Sequence, residues 1–552
     1  MNTKFAKALC LFVCGAGSAV YAGNPLDFPM SRPPRTSQHS MALSSGPAIF
    51  PHEFRSLDGT GNNPVDPLRG SAGVALLRHT TIGYTDGSGT PAGAGEPSSR
   101  QISNLICAQD QLLPNAENTS DFLWQWGQFL DHDIDLTPTA VPAEPFNVAV
   151  PLGDPYFDPQ GTGTQVIELD RSLYEMIRGV REQLNVISAF IDASQVYGSD
   201  EARAMELRTL DGTGTLKVSP GNLLPYNIHG FPNAPDNSAT YFLAGDVRAN
   251  EQTGLTVMHT LFVREHNYWA RFIKRRQPWL DDDAIYYRAR AIVGAEMQII
   301  TYRDFLSRLL GPNALPPYTG YNRQLDPGIE NAFSTAAFRV GHTMLSPVLL
   351  RLDEHNQSIG NVPLRDAFFN PTLVSSVGIE VYLRGLAKQA HQTIDGYIVD
   401  DVRNFLFGPP GAGGFDLPSL NMQRGRDHGL PRYNVVRQNF GLAPKSSFAD
   451  ICSDPLMQAK LASCFATVND IDVWIGALAE DHVNGGQVGE LIFTILRDQF
   501  TRLRDGDRFW YQTYFPAGWV HYLEHQTLAT IIRRNTSVGF ELQGDVFKVP
   551  TR

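Results

Sequence analysis

Cysteine is scarce in this chain, five in 552 residues, and two of the five, Cys10 and Cys14, fall within the first 22 positions. Cys107, Cys452 and Cys464 remain, too few to build a disulfide-defined fold. No CxxC pair exists to hold a structural zinc. Cys452 and Cys464 enclose a short loop and can pair in an oxidising compartment, worth roughly 3 kcal/mol, which leaves Cys107 alone. Basic excess is lacking too. The formal net charge is −12, and since Lys4 and Lys7 lie in the first 22 residues the remainder stands near −14. Such an acidic chain argues against nucleic acid and anionic membrane as partners. Beyond the first 22 residues no apolar run approaches the roughly 18 residues of a helical membrane span, so no integral membrane segment is expected.

Residues 1–22 read as a secretory signal peptide. Lys4 and Lys7 form a basic start, Ala8 to Val20 is apolar, and Val20-Tyr21-Ala22 offers small residues for cleavage. The expected product is exported: secreted, or periplasmic in a bacterium. Residues 23–99 are rich in Gly, Pro and Ser and read as an extended arm. Helical periodicity dominates residues 100–552. Candidate helices are 119–135, 171–184, 253–275, 282–310, 329–345, 379–391, 469–480, 487–503 and 519–534, with a Pro-Gly-rich loop at 408–418. Strand-like alternation is short and rare, and neither an internal repeat nor a low-complexity linker divides the body. The expectation is a mainly α fold: a single large helical domain with long loops and little β structure.

Within 119–135, Phe122, Leu123, Trp126, Phe129, Leu130 and Ile134 recur at helical spacing, with Thr119 or Ser120 available as N-cap. Asp131, His132 and Asp133 therefore close a packed helix, where a charge costs several kcal/mol unless it is paired or bound to metal. Three further clusters carry ionisable groups. One runs from Leu243 through Arg248, Glu251 and Gln252 into a helix holding Arg264-Glu-His-Asn267. The second is Ala337-Phe-Arg-Val-Gly-His342-Thr, and the third, Leu420 to Pro431, reads as a polar, Arg-dense turn. Each has a plain alternative: His342 as a satisfied core histidine, Arg248 as a surface arginine, 420–431 as a salt-bridged loop. Asp131-x-Asp133-x-Asp135 imitates the start of an EF-hand, but the sixth position is Leu136 rather than Gly and the twelfth is Pro142. His521-x-x-Glu524-His525 fits a zinc-peptidase motif, with only Glu541 and Asp545 downstream as further ligands.

Taken together, these segments resemble the animal-type haem peroxidases of the peroxidase–cyclooxygenase superfamily, from about residue 50 to about residue 540. Arg55-Ser-Leu-Asp-Gly-Thr-Gly-Asn-Asn63, Pro97-Ser-Ser-Arg100 and Trp126-Gly-Gln-Phe-Leu-Asp-His-Asp133 stand in family order. So do Ser188-Ala-Phe-Ile-Asp-Ala-Ser-Gln-Val-Tyr-Gly198, the segments around Arg248, Arg264, His342 and Asn421, and Leu503-Arg-Asp-Gly-Asp-Arg-Phe-Trp510. The resemblance implies a haem enzyme that uses hydrogen peroxide to oxidise small anions and phenolic reductants. It implies His342 as the proximal ligand of haem iron, with Asn421 accepting a bond from its other ring nitrogen. It implies His132 as the distal acid and base, Arg248 as the stabiliser of charge on the departing oxygen, and Gln128 as the group that positions water or halide. Arg339 and Arg424 would pair with haem propionates.

The same resemblance implies calcium held by Asp133, Ser188, the Phe190 carbonyl, Asp192 and Ser194. Asp131 and Glu251 occupy the places where some members esterify haem methyl groups. Gln252 stands where one member carries a methionine that makes a further, electron-withdrawing link. The lower redox potential expected without it points to iodide, thiocyanate, bromide and phenols as reductants rather than chloride. Two relatives of the fold compete as readings. Fatty-acid dioxygenases and cyclooxygenases place a radical-forming tyrosine shortly before the proximal histidine, whereas here Arg339, Val340 and Gly341 precede His342 and the nearest aromatic is Phe338. An adhesion protein that keeps the fold is the other, although no Arg-Gly-Asp triplet occurs.

Overall fold

Five helices frame the computed structural model, which describes residues 53–550: α1 (Phe122–Ile134), α2 (Thr253–Arg276), α3 (Asp282–Ile299), α4 (Leu417–Asp427) and α5 (Glu490–Asp505). The expected signal at 1–22 and the first part of the arm lie outside the described residues. Helix accounts for 38% of the structure and strand for 10%, so the mainly α expectation holds. Asp281 caps α3 by accepting from the Ala284 N–H, and Asp282 and Asp283 complement the positive end of the helix. The chain then continues through a π turn (Ile300–Phe305) into Leu306–Leu309. α1 meets α2 through Trp126, Phe129 and Phe262, whose ring centroids lie 5.1–6.1 Å apart. Edge and tilted contacts of this kind add about 0.5–1.5 kcal/mol each beyond area burial. The Trp126 indole N–H is satisfied by Thr301 Oγ1 at 3.1 Å.

Several expected elements differ. Residues 171–184 form a hairpin rather than a helix: β2 (Tyr174–Ile177) pairs antiparallel with β3 (Val180–Asn185). Arg178 and Gly179 take φ of 52° and 82°, the mirror-type two-residue turn that suits strand twist. The short apolar run fits a period of two as well as a period of 3.6, and the turn dipeptide decides between them. The outer edge of β3 pairs with β1 (Val74–Ala75), so the sheet order is β1-β3-β2 and the arm is tied to it. Candidate helix 329–345 breaks at Ala336 (φ −130°, ψ −64°) into Asn331–Thr335 and a 3₁₀ turn, Ala337–His342. Candidate 519–534 divides into Ala517–Glu524 and Leu528–Asn535.

The Arg-dense segment expected as a turn is α4. Asp416 caps it by accepting from the Ser419 N–H, and Pro418 occupies its first turn. Its polar residues read as loop because they are buried in ion pairs rather than against apolar neighbours. Residues 455–464 also form a helix, so the 452–464 segment is not a loop, and Cys107, Cys452 and Cys464 are all free and buried. The arm from residue 53 is pinned at separate points. Arg55 pairs with Asp507 at 2.8 Å, Asn62 donates to Asp507 at 2.7 Å, and Arg78 pairs with Glu182 at 2.7 Å. Among the described residues no helix is long and apolar enough to cross a membrane.

Arg100, with no exposed surface, joins three of these parts. Its guanidinium donates to Asp154 at 2.8 Å, to Asp416 (the cap of α4) at 2.8 Å and to Asn404 at 2.8 Å. Arg100→Ala leaves two buried carboxylates facing each other, an imbalance that costs about 3–5 kcal/mol. The expected outcome is a thermal denaturation midpoint several degrees lower, and a midpoint equal to that of the parent protein would contradict the role of this cluster.

Candidate active site

The end of α1 and the 3₁₀ turn Ala337–His342 wall a common cavity with an empty volume of about 920 Å³. His132, Gln128 and Asp131 enter it from α1, Glu251 and Gln252 from the start of α2, and Arg339 and His342 from the 3₁₀ turn. Apart from Ser334 the rest of the wall is largely apolar, with Leu123, Phe305, Phe338, Leu364 and Phe368 among its members. Two imidazoles placed far apart in sequence thus share one space.

On the α1 side, Arg248 has no exposed surface. It donates through Nε to Asp246 Oδ1 at 2.9 Å, and through Nη2 to Asp246 Oδ2 at 2.8 Å and to the Asp135 carbonyl at 2.9 Å. Nη1 makes no hydrogen bond among the described residues and lies 3.6 Å from Asp131 Oδ2. Asp246 Oδ1 also stands 3.5 Å from His132 Nδ1. Burial pushes the Asp246 carboxyl up, but the Arg248 guanidinium more than cancels this and holds it below the usual carboxylate range. His132 is held far below its ordinary value by burial and by Arg248, so its ring is neutral. Sequence reasoning missed Asp246. Its signal was the two-residue step to Arg248, which lets one carboxylate take both the backbone N–H and the side chain of the arginine.

Gln128 donates to Glu251 Oε1 at 2.9 Å. Burial raises Glu251 to about 8, and burial with the neighbouring Asp135 raises Asp131 to about 7. Near neutral pH both carboxyls therefore hold protons for much of the time. Asp135 is fully buried, with the Ser334 hydroxyl and the charges of Arg248 and Arg339 as the groups that favour its ionised form.

On the opposite side, His342 Nδ1 lies 2.8 Å from Asn421 Nδ2, while Asn421 Oδ1 accepts from Arg339 Nη1 at 3.0 Å. The resemblance gives Asn421 the acceptor role toward the ring, whereas here its carbonyl is taken by Arg339. A guanidinium can only donate, so it selects the oxygen end of the amide. Loss of water around the ring and the charge of Arg339 lower His342 to about 3, which keeps it neutral and suited to a metal. Arg424 is not part of the cavity wall. Its Nη1 pairs with Asp427 at 2.8 Å and with Ser172 at 2.9 Å, while Nε and Nη2 find no partner among the described residues.

Behind His132, Asp133 turns away from the cavity. Its carboxylate accepts from the Asp192 and Ala193 N–H groups, each at 3.1 Å, and from Ser194 Oγ at 3.0 Å. Asp192 meets Ser188 Oγ at 3.4 Å and Arg290 at 3.1 Å. Burial and the nearby Asp192 charge push Asp133 well above the usual range. Two buried carboxylates with hydroxyls around them suit a divalent cation. Phe190 lies in the same turn, its N–H donating to Ser188 Oγ at 3.3 Å. The zinc-peptidase motif forms no comparable arrangement. His525 donates from Nδ1 to the His521 carbonyl at 2.7 Å, and Glu524 accepts from Tyr511 at 3.1 Å.

The profile of the family described as "Animal haem peroxidase" matches residues 54–547. Peroxinectin A of Dictyostelium discoideum is 36% identical over 518 residues, covering 90% of this chain and 96% of that protein. Myeloperoxidase of Mus musculus is 37% identical over 554 residues, covering 90% of this chain and 76% of that protein. The solved structure of peroxidase A from Dictyostelium discoideum superposes with a TM-score of 0.84 at 35% identity, covering 90% of this chain and 99% of that one.

Glu251 gives the cavity a pH signature. Its folded value of about 8 exceeds the ordinary 4.5, so between these limits the folded protein holds a proton that the unfolded chain has lost. Its stabilising contribution is complete below pH 4.5 and is lost as pH rises toward 8. In the protein without prosthetic group, the urea midpoint should fall between pH 5 and pH 8, and Glu251→Gln should flatten that fall. An identical slope in the variant would show that Glu251 is not protonated in the fold.

Proposed function

The chain belongs to the animal haem peroxidase family and is a hydrogen-peroxide-dependent oxidoreductase of that kind; from this premise we propose an exported enzyme that oxidises iodide, thiocyanate, bromide and phenolic reductants. The observation that carries the reading is the pair of neutral imidazoles, His132 and His342, that share one largely apolar cavity. The donor set fits haem: a neutral ring for the metal, two protonated carboxyls in the wall, and arginines on both faces. Bound there, haem supplies an iron that takes two oxidising equivalents from peroxide and delivers them to reductants.

His342 would hold the iron through Nε2, because Nδ1 faces Asn421. Arg339 would pair with a haem propionate, and with that acceptor in place the Asn421 carbonyl would be free to turn toward the ring. His132 Nε2 takes the proton from hydrogen peroxide and returns it to the leaving oxygen. Arg248, clamped by Asp246, offers Nη1 to the negative charge that develops on that oxygen. Asp131 and Glu251 line the wall and would be the carboxyls that form ester links with haem methyl groups, with hydrogen peroxide as the two-electron oxidant. Asp133, Ser188, Phe190, Asp192 and Ser194 would hold calcium, whose charge would offset the paired carboxylates and steady the α1 terminus that carries His132. Gln252 brings no sulfur to the cavity, which favours easily oxidised anions over chloride. Phe338 lacks a hydroxyl and stacks on Phe333 with centroids 4.7 Å apart, which disfavours the fatty-acid oxygenase reading.

Purified protein should show a Soret band and oxidise iodide and guaiacol only when peroxide is added; His342→Ala should lose the band. His132→Ala should keep the band and react with peroxide at least about a hundredfold more slowly, in line with the size of general acid–base effects. Stopped-flow rates equal to those of the parent would remove His132 from this role. The ester assignment is tested separately. Haem should resist acidified organic solvent in the parent and become extractable in the Asp131→Val/Glu251→Gln double variant; haem that stays attached in the variant would locate the link elsewhere.

A further inference from the structure

Gln252 is the N-cap of α2, and one backbone group decides which way its amide faces. The Gly254 N–H, which can only donate, lies 2.6 Å from Gln252 Oε1. The Nε2 of Gln252 therefore points the other way. Its two hydrogens meet two oxygens, Gln125 Oε1 at 2.7 Å and Gln128 Oε1 at 3.0 Å. A donor in that place obliges Gln128 to turn its oxygen toward Gln252 and its nitrogen away. That nitrogen gives one hydrogen to Glu251 at 2.9 Å, and the other has no acceptor among the described residues, on a side chain that lines the cavity. An ester at Glu251 keeps a carbonyl oxygen, so this bond survives attachment. Position 254 must be glycine for the chain of amides to close, because a Cβ there would collide with Gln125 Oε1.

We infer that Gln252 is a positioning residue that fixes the amide polarity of Gln128, so that the group offered to the cavity is an N–H donor and anionic reductants are selected over neutral ones. The inference rests on the peroxidase reading above and extends it to substrate class. The same glutamine turned by half a rotation would present its carbonyl oxygen and repel an anion. Gln252 acts through Gln128, so its effect should vanish when Gln128 cannot hydrogen-bond. That dependence separates a positioning role from a merely structural one.

A double-mutant cycle on the haem-loaded protein tests this, with thiocyanate binding followed in the Soret region. Gln252→Leu should raise the thiocyanate Kd about three- to tenfold, the size of one net hydrogen bond. In the Gln128→Leu background the same change should matter less than about twofold. The guaiacol KM should rise by a smaller factor than the thiocyanate Kd in the single variant. Equal thiocyanate effects in both backgrounds, no effect in either, or equal losses for thiocyanate and guaiacol would each overturn the inference. Should Gln252→Leu fail to load haem, Gln252→Asn keeps the cap but is too short to reach Gln128 and carries the same expectation. A parent protein that oxidises neither substrate overturns the peroxidase reading, while the thiocyanate titration still decides this one.

Discussion

A guanidinium with no exposed surface governs the arrangement of the cavity. Arg248 cannot shed its proton, so its burial demands a counter-ion and acceptors for its donors. Asp246 supplies the counter-ion through two parallel contacts, and the Asp135 carbonyl at the end of α1 supplies another acceptor. The first contact fixes the turn that leads into α2, and with it Glu251 and Gln252. The second ties that turn to the helix carrying His132. One charge therefore holds in register the two chain segments that form the distal wall. Losing either Arg248 or Asp246 leaves an unpaired ion where water cannot reach it.

The remaining ionisable groups around the cavity follow the opposite course and stay neutral. Asp131 and Glu251 are raised toward or above neutral pH by burial, while His132 and His342 are lowered by it. Neutral imidazoles have lone pairs to offer, one to a metal and one to a proton. Neutral carboxyls can be held in an apolar wall at little electrostatic cost. The arginines, which cannot become neutral, and Asp246, which Arg248 keeps ionised, carry the permanent charge beside the cavity. The acidic pair behind His132 is different, since burial and the Asp192 charge raise Asp133, whereas Asp192, raised by its own burial, has Arg290 beside it.

Much of this was legible in the sequence where apolar periodicity was long. The helices α1, α2 and α3 appear close to their expected bounds because an apolar face fixes their period. His132, Arg248, Gln128, Glu251, Asp131, Arg339 and His342 were each singled out; all but Arg248 line the cavity, and Arg248 lies beside its wall, 3.6 Å from Asp131. The hairpin at 174–185 was misread because its few apolar residues satisfy two periods, and only the turn at Arg178-Gly179 separates them. The helix α4 was misread because polarity resembles a loop when its ion pairs are unseen. The amide chain through Gln125, Gln128 and Gln252 was hidden for a related reason. A hydrogen bond between residues more than a hundred positions apart leaves no periodic trace in sequence.

The two faces of the cavity solve a common problem in a similar way. A side-chain amide has an accepting end and a donating end of nearly equal size, so shape alone cannot orient it. On the α1 face the Gly254 N–H orients Gln252, which in turn orients Gln128. On the opposite face the Arg339 guanidinium orients Asn421 beside His342. In each case a group that can only donate selects the oxygen end and so settles what the nitrogen meets. The difference lies in what can change. A backbone N–H at a helix start is fixed, so the polarity of Gln128 is built in. An arginine can exchange Asn421 for a stronger acceptor, so the polarity beside His342 depends on what else reaches Arg339. The amide of Gln128 is thus set by folding, whereas that of Asn421 would answer to an anion bound at Arg339.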